Sequence, residues 1–165
     1  MDLNWYAIKV FWKRTARIKD ILDELGMEYY AQSLLPSYIF IHTDQQSIKK
    51  FADSQFGFIY LYCDRATHKP SIVPDKEIEI FKIVCSSADT GLDFLDGSPE
   101  KYRVGDLVRV TDGPFKGAEG YVKRIKKDRR LVVIISGIAA VATSFIPPEL
   151  LEKVDDSIPE LPKND

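Results

Sequence analysis

The side chains that carry most enzymatic chemistry are few in this 165-residue chain and are scattered along it. The two histidines, His42 and His68, lie in no spacing typical of an acid–base pair or a metal site. Cys63 and Cys85 are too far apart in sequence for a metal-binding pair, and they fit two free thiols in a reducing compartment. We therefore expect no catalytic residues, no metal and no cofactor, in a protein that is not an enzyme.

A glycine-rich segment from Gly113 to Gly120 is a candidate for a phosphate-binding loop. It lacks the Gly-Lys-Ser/Thr sequence that holds a nucleotide phosphate in a P-loop. Turn geometry explains the glycines better, since Gly113-Pro114 predicts a tight reversal of the chain. Gly120 is predicted to adopt a backbone conformation that a side chain would oppose.

A dense group of cations is the strongest binding signal that does not depend on any family. Six cations lie within eight residues, namely Lys123, Arg124, Lys126, Lys127, Arg129 and Arg130. Such a cluster repels itself and needs counter-ions, acidic side chains or a charged partner nearby. The segment Lys126–Arg130 is predicted to be a charged turn between two strands. It is either a solvated turn or a polyanion-binding site for nascent RNA, upstream DNA or ribosomal RNA.

Aromatic residues alternate along two predicted strands of the N-terminal half. Tyr38 and Phe40 share one face of the first strand, and Phe58, Tyr60 and Tyr62 share one face of the second. Two interpretations stay open. These rings are either part of the core or, if that face is open, an exposed aromatic patch that binds a partner.

Strands and helices are predicted to alternate in residues 1–85 in the order β-α-β-β-α-β-α. Apolar residues repeat at helical spacing after Lys13, and Asp44 and Pro74-Asp75 are typical of helix starts. The predicted strands are Trp5–Val10, Tyr29–Gln32, Leu34–Thr43 and Phe58–Cys63. This order indicates an α+β fold with a split βαβ-like antiparallel sheet covered by helices.

Short strands separated by glycine, proline and charged turns follow from Tyr102. The predicted strands are Leu107–Thr111, Tyr121–Ile125, Leu131–Ile135, Ala140–Ile146 and Leu150–Val154. Several short strands in about 50 residues without a helix are typical of a small barrel.

Charge divides the chain in the same way. Residues 1–85 carry 11 basic and 11 acidic side chains, whereas residues 101–154 carry 11 basic and 6 acidic ones. Residues 86–100 carry four acids and no base, and residues 155–165 carry four acids and one lysine. We predict a first domain at 1–85, an acidic linker at 86–100, a β-barrel at 101–154 and an acidic tail at 155–165.

Hydropathy predicts a cytoplasmic chain without a membrane partner. The N-terminus has no apolar signal core, and the longest apolar stretch, Leu131–Ala142, is shorter than the approximately 20 residues of a spanning helix.

Two sets of residues carry a resemblance to one known family. The stretch from Val104 to Val122, with its Gly113-Pro114 turn, resembles a KOW motif. Trp5-Tyr6, the segment Leu35–Ile41 and the helix start at Pro74 resemble an NGN domain, and the two together resemble the NusG/RfaH family of transcription factors. Ser37 replaces the glycine of the usual Pro-Gly-Tyr. Only Ser33-Leu34 separates the second and third predicted strands, where family members usually place a hairpin.

The resemblance implies a fold, a function and partners. It implies an NGN-like domain followed by an SH3-like KOW barrel, in a monomer that binds the clamp helices of RNA polymerase and suppresses pausing. Tyr38, Phe40, Phe58 and Tyr60 would be the polymerase-binding anchors. Phe115, pushed outward by its turn, would contact a ribosomal protein or the termination factor Rho.

Three functional interpretations follow within and beyond the family. The short NGN domain and short chain favour a specialised antiterminator of a few operons, of the surface-polysaccharide type. The alternative in the family is the housekeeping factor that couples to the ribosome or Rho. An RNA-binding module or a ribosome-associated KOW protein is the alternative of another class.

Overall fold

The computed structural model describes residues 2–32, 37–86, 91–95 and 98–154. It divides into two compact units, Met1–Glu79 and Ile80–Asp165, so the division lies slightly before the predicted boundary at residue 85. The predicted acidic tail at 155–165 lies outside the described residues, as does part of the predicted linker.

The N-terminal part has the predicted order of elements. Its strands are β1 (Asn4–Val10), β2 (Glu28–Tyr30), β3 (Tyr38–Thr43) and β4 (Ile59–Leu61), and its helices are α1 (Thr15–Glu24), α2 (Gln45–Ser54) and α3 (Asp75–Ser86). The strands form one antiparallel sheet in the order β2-β3-β1-β4.

Local sequence signals explain where the first two helices lie. Ile18 and Leu22 are one helical turn apart and are fully buried on the same side of α1. Asp44 caps α2 as predicted, because its carboxylate accepts a hydrogen bond from the backbone N–H of Ser47 at 2.8 Å. Each helix therefore presents an apolar side to the sheet.

The core of the first unit lies on one face of this sheet. It joins alternate residues of β1 and β3 to the buried sides of the two helices. Its buried members are Tyr6, Ile8, Val10, Ile18, Leu22, Ile39, Ile41, Ile48 and Phe51. The residues between these on β1 and β3 must therefore face the opposite side.

The second unit is built around a six-stranded antiparallel sheet. Its strands are β5 (Asp93–Leu95), β6 (Leu107–Val110), β7 (Glu119–Ile125), β8 (Asp128–Ile135), β9 (Ala139–Phe145) and β10 (Leu151–Lys153). They are ordered β10-β6-β7-β8-β9-β5. The predicted α+β fold class with antiparallel sheets is confirmed.

Strand β5 corrects the prediction of a linker at 86–100. Asp93, Phe94 and Leu95 pair with Ala142, Val141 and Ala140 of β9, so this part of the segment is an edge of the sheet. Three residues are too few to show alternation, and it is the pairing with β9 that makes them a strand.

Gly120 also differs from its prediction. Gly113 and Gly117 do have positive φ angles, +88° and +93°, as their turn requires. Gly120 instead lies within β7, opposite Val108 of β6. A Cβ atom at Gly120 would lie 2.2 Å from the carbonyl oxygen of Val132, so close packing against β8 requires the glycine.

Candidate functional site

The face of the first sheet opposite the core carries the predicted aromatic residues. Register places Lys9 opposite both Tyr38 and Tyr60, and it places Ala7 opposite Phe40. The alternation predicted from the sequence is therefore present across three neighbouring strands.

One end of this face is buried. Phe40 is 1% exposed, and Trp5 and Ala7 beside it are buried too. The ring of Trp5 stacks on His42 at 4.7 Å, and Nδ1 of His42 lies 2.8 Å from Oε1 of Glu28. Phe40 was predicted as a polymerase-binding anchor, and this is corrected, because a ring without solvent access belongs to the core.

The other end of the face is open. Phe58 is 38% exposed and Tyr60 is 48% exposed. The ring of Tyr62 lies between those of Tyr60 and Tyr38, with its centroid 5.0 Å from that of Tyr60 at 85° and 6.2 Å from that of Tyr38. The Tyr62 hydroxyl, whose pKa burial raises, donates a hydrogen bond to the hydroxyl of Tyr38 at 3.5 Å. These contacts connect the three tyrosine rings.

Three further aromatic residues extend this end, and the sequence analysis missed them. The N–H of Phe11 donates to the carbonyl of Phe58 at 2.8 Å, which brings the end of β1 beside the start of β4. Trp12 is 79% exposed and Phe56 is 88% exposed. The adjacent pair Phe11-Trp12 directly after a strand was the available signal.

We call this set the aromatic surface. It comprises Phe11, Trp12, Tyr38, Phe56, Phe58 and Tyr60.

Backbone strain and cations accompany the aromatic surface. Trp12 and Lys13 both have left-handed backbones, with φ angles of 60° and 54°, which are costly for residues other than glycine. The guanidinium of Arg14 lies 4.0 Å from the ring centroid of Phe58, and Nζ of Lys9 lies 5.8 Å from that of Tyr38. The surface therefore combines exposed rings with positive charge.

Phe115 does not point outward as predicted. It is 4% exposed. Hydrogen bonds from Lys116 N to Gly113 O and from Gly117 N to Val110 O fold the loop back at the end of β6. A ring without access to solvent offers no contact to a partner in this conformation.

The six clustered cations are separated by the structure into two groups. Arg130 is 6% exposed, and its guanidinium donates to Gly91 O at 2.7 Å, to Asp93 Oδ2 at 2.7 Å and to Thr143 O. Lys123 is half-buried, and its Nζ donates to Val104 O at 2.7 Å. These two residues stabilise the fold. The prediction that Arg130 binds a polyanion is therefore wrong, because its guanidinium is buried and bonded within the fold.

The other four cations remain exposed on one hairpin. They are Arg124 at the end of β7, Lys126 and Lys127 in the turn, and Arg129 at the start of β8. We call these four the basic hairpin. The predicted charged turn Lys126–Arg130 is thus shorter, since residues from Asp128 onward are in β8.

The thiols have no sign of activation. Burial raises the pKa of Cys63, and it raises the pKa of Cys85 to about 11. Among the described residues, no group of three or more His, Cys, Asp or Glu could hold a metal ion. No helix in the described part of the chain is long and apolar enough to cross a membrane.

Comparison with known proteins gives one family match. The family model of the KOW motif matches residues 104–137, which include β6, β7 and β8. No curated protein matches the chain in sequence.

Two solved structures align over most of this chain at low sequence identity. A structure of domain interaction in Thermotoga maritima NusG has 17% identity and a TM-score of 0.49, over 94% of this chain and 99% of that chain. The MjSpt4:Spt5 complex in conformation A has 14% identity and a TM-score of 0.35, over 91% of this chain and 97% of that chain. Residues 104–137 match the model of the KOW motif, which confirms the KOW resemblance of this segment.

Proposed function

We propose that this chain is a NusG-like transcription elongation factor that docks on RNA polymerase through the aromatic surface. The observation that carries the proposal is the exposure of Phe58 and Tyr60 on the open end of the sheet face, together with the exposure of Trp12 and Phe56, which are close to that end along the chain. Large exposed aromatic rings that lie together mark interaction sites in soluble domains. The KOW motif in the second unit supports the same family of functions.

The chemistry of the surface favours a protein partner with apolar and acidic side chains. Aromatic rings supply apolar contact area at low entropic cost, and Lys9 and Arg14 add positive charge at the same face. The family resemblance implies that this partner is the clamp helices of the polymerase largest subunit.

Such a factor acts by binding and forms no covalent bond. If it binds the elongating conformation of the polymerase more tightly than the paused one, it shifts the population toward elongation. The expected activity is therefore a shorter dwell time at pause sites, without consumption of any substrate by the factor.

The test is equilibrium binding of the full chain to core RNA polymerase. Tyr60→Ala and Tyr38→Ala should each weaken binding by about tenfold or more, because a buried aromatic anchor is worth about 2 kcal/mol. Leu25→Ser is the matched control, since Leu25 is a large apolar residue that is 58% exposed elsewhere in the same unit. Unchanged affinity in both tyrosine variants, with folding intact by circular dichroism, would remove this surface from the interface.

We also propose that the chain is a specialised antiterminator rather than the partner of Rho. The buried ring of Phe115 supports this, because that ring is the contact that the resemblance assigns to Rho or a ribosomal protein. In single-round transcription the chain should shorten pauses without increasing termination by added Rho. Enhanced Rho-dependent termination would instead indicate the housekeeping role.

A further inference from the structure

The turn of the basic hairpin is made of residues that its geometry disfavours. Lys126 and Lys127 are the two central residues between Ile125 and Asp128, with φ angles of 52° and 77°. Two consecutive positive φ angles define a type I′ turn, in which Asn-Gly is strongly preferred. Two lysines at these positions reduce the stability of the hairpin.

The ladder beside the turn contains a second unfavourable choice. Arg124 of β7 lies directly opposite Arg129 of β8. Like charges at opposed positions of an antiparallel pair repel each other and destabilise the sheet. The lysines of the turn and the opposed arginines of the ladder therefore both lower the stability of the hairpin. Both pairs also add positive charge at the same end of it.

The carboxylate of Asp93 offsets only part of this charge. It is shared between buried Arg130, at 2.7 Å, and Lys126, whose Nζ forms a longer ion pair at 3.7 Å and whose side chain is 75% exposed. Residues 101–154 carry 11 basic and 6 acidic side chains. Residues that lower local stability and share one chemical property, here positive charge, indicate a functional site.

A small cavity lies beside the basic hairpin. Its volume is about 120 Å³, and its walls are mostly apolar, with Val122, Leu131, Ile146 and Leu151 among the lining residues. Arg129 also lines it. The cavity therefore offers an apolar recess next to a guanidinium, which suits a planar base attached to a phosphate backbone.

We propose that the basic hairpin binds single-stranded nucleic acid, with phosphates on the four exposed cations and an unstacked base in the adjacent cavity. An unpaired strand fits both features, because its bases are free to leave the backbone and enter a recess. This site lies in the second unit and does not depend on the polymerase-binding proposal.

The first test is the salt dependence of binding by the full chain, measured with fluorescein-labelled oligo(U) and oligo(dT). Arg124→Gln with Arg129→Gln should lower the slope of log affinity against log salt by about 1.4, since each phosphate contact to a single strand contributes about 0.7. The charge-matched control is Lys101→Gln with Lys116→Gln, two exposed lysines of the same unit outside the hairpin. Equal losses in the two double variants would overturn the hairpin as the site.

The second test separates binding from stability. Lys126→Asn with Lys127→Gly should raise the midpoint of thermal unfolding and should weaken oligonucleotide binding by about fivefold or more, because it restores turn preference and removes two phosphate contacts. A variant that is more stable and binds as tightly as the parent would contradict the proposal.

Two ligand comparisons test the base and the strand. An abasic oligomer of equal length should bind more weakly than oligo(dT), and an acidic peptide of equal charge should bind more weakly than either. Equal binding of the abasic oligomer would overturn base recognition, and tighter binding of the peptide would overturn nucleic acid as the ligand. Oligo(U) against oligo(dT) distinguishes RNA from DNA as the source of the strand.

Discussion

Gly120 shows how one missing side chain allows two strands to approach. Its place in β7 leaves no room for a Cβ atom, since the carbonyl oxygen of Val132 on the neighbouring strand would be 2.2 Å away. Backbone atoms of a paired strand cannot move aside as a flexible side chain can. The close pairing of β7 with β8 therefore depends on this residue, and these two strands form the basic hairpin.

Gly120→Ala should be severely destabilising. We expect a loss of about 3 kcal/mol or more in the free energy of unfolding, because a rigid clash in a packed sheet forces the backbone to shift. Chemical denaturation of the full chain measures this. Gly137→Ala is the comparison, since a Cβ atom at Gly137 would meet no atom within 4 Å and would add only the strain of a φ of +73°. Equal effects of the two substitutions would contradict the steric explanation.

Phe115 marks the limit of prediction for a single side chain. The sequence predicts the turn correctly, and Gly113 and Gly117 have the left-handed backbones that such a turn needs. It does not predict the direction of the ring, which depends on hydrogen bonds between the loop and the end of β6. Phe40 is similar, since alternation places it on a face but does not show which part of the face is covered.

At the scale of elements, Arg130 connects three segments of the second unit. Its guanidinium, at the start of β8, donates to Asp93 of β5, to Gly91 before β5 and to Thr143 of β9. The hydrogen bond from Arg130 lowers the pKa of the Asp93 carboxyl. Edge strand β5 is thereby held to the sheet by a charge as well as by its ladder with β9.

This ion pair gives a prediction for pH. Because the pKa of Asp93 is lower in the folded chain than in the unfolded chain, its contribution is complete above the unfolded value and is lost as pH falls through the folded one. Asp93→Asn should cost about 1 kcal/mol at neutral pH, a value reduced for the partial exposure of the carboxylate, and the cost should shrink progressively as the pH falls below about 4. Urea denaturation of both proteins at pH 7 and pH 3 checks this. A difference that stays constant with pH would exclude the ion pair as the cause.

The order of the longer elements could be predicted because their signals are local. Apolar spacing in α1, the Asp44 cap of α2 and alternation in β3 each specify structure within one segment. The turns at Trp12-Lys13 and at Lys126-Lys127 could not be predicted. Their backbones are left-handed, but neither turn contains the glycine or asparagine that usually signals such a conformation. These exceptions occur at the two proposed binding sites.

For the whole molecule, the two proposed sites lie in different units and should be separable. Tyr60→Ala should weaken polymerase binding and leave oligo(U) binding unchanged, whereas Lys126→Asn with Lys127→Gly should do the reverse. Independent sites do not affect each other, so in each assay the combined variant should match the variant that alters the site for that ligand, within about 0.5 kcal/mol. Binding of each ligand to all three variants measures this, and a large deviation from additivity would show that the sites are coupled.

The two tryptophans of this chain make it its own optical probe. Trp5 is 7% exposed and stacks on His42, whereas Trp12 is 79% exposed at the aromatic surface. Acrylamide should therefore quench the emission of Trp12 strongly and that of Trp5 weakly. A Trp5→Phe variant retains only Trp12, so its emission reports on the aromatic surface alone. A protein that covers the aromatic surface would shield this indole and shift its emission to shorter wavelength, without any attached dye.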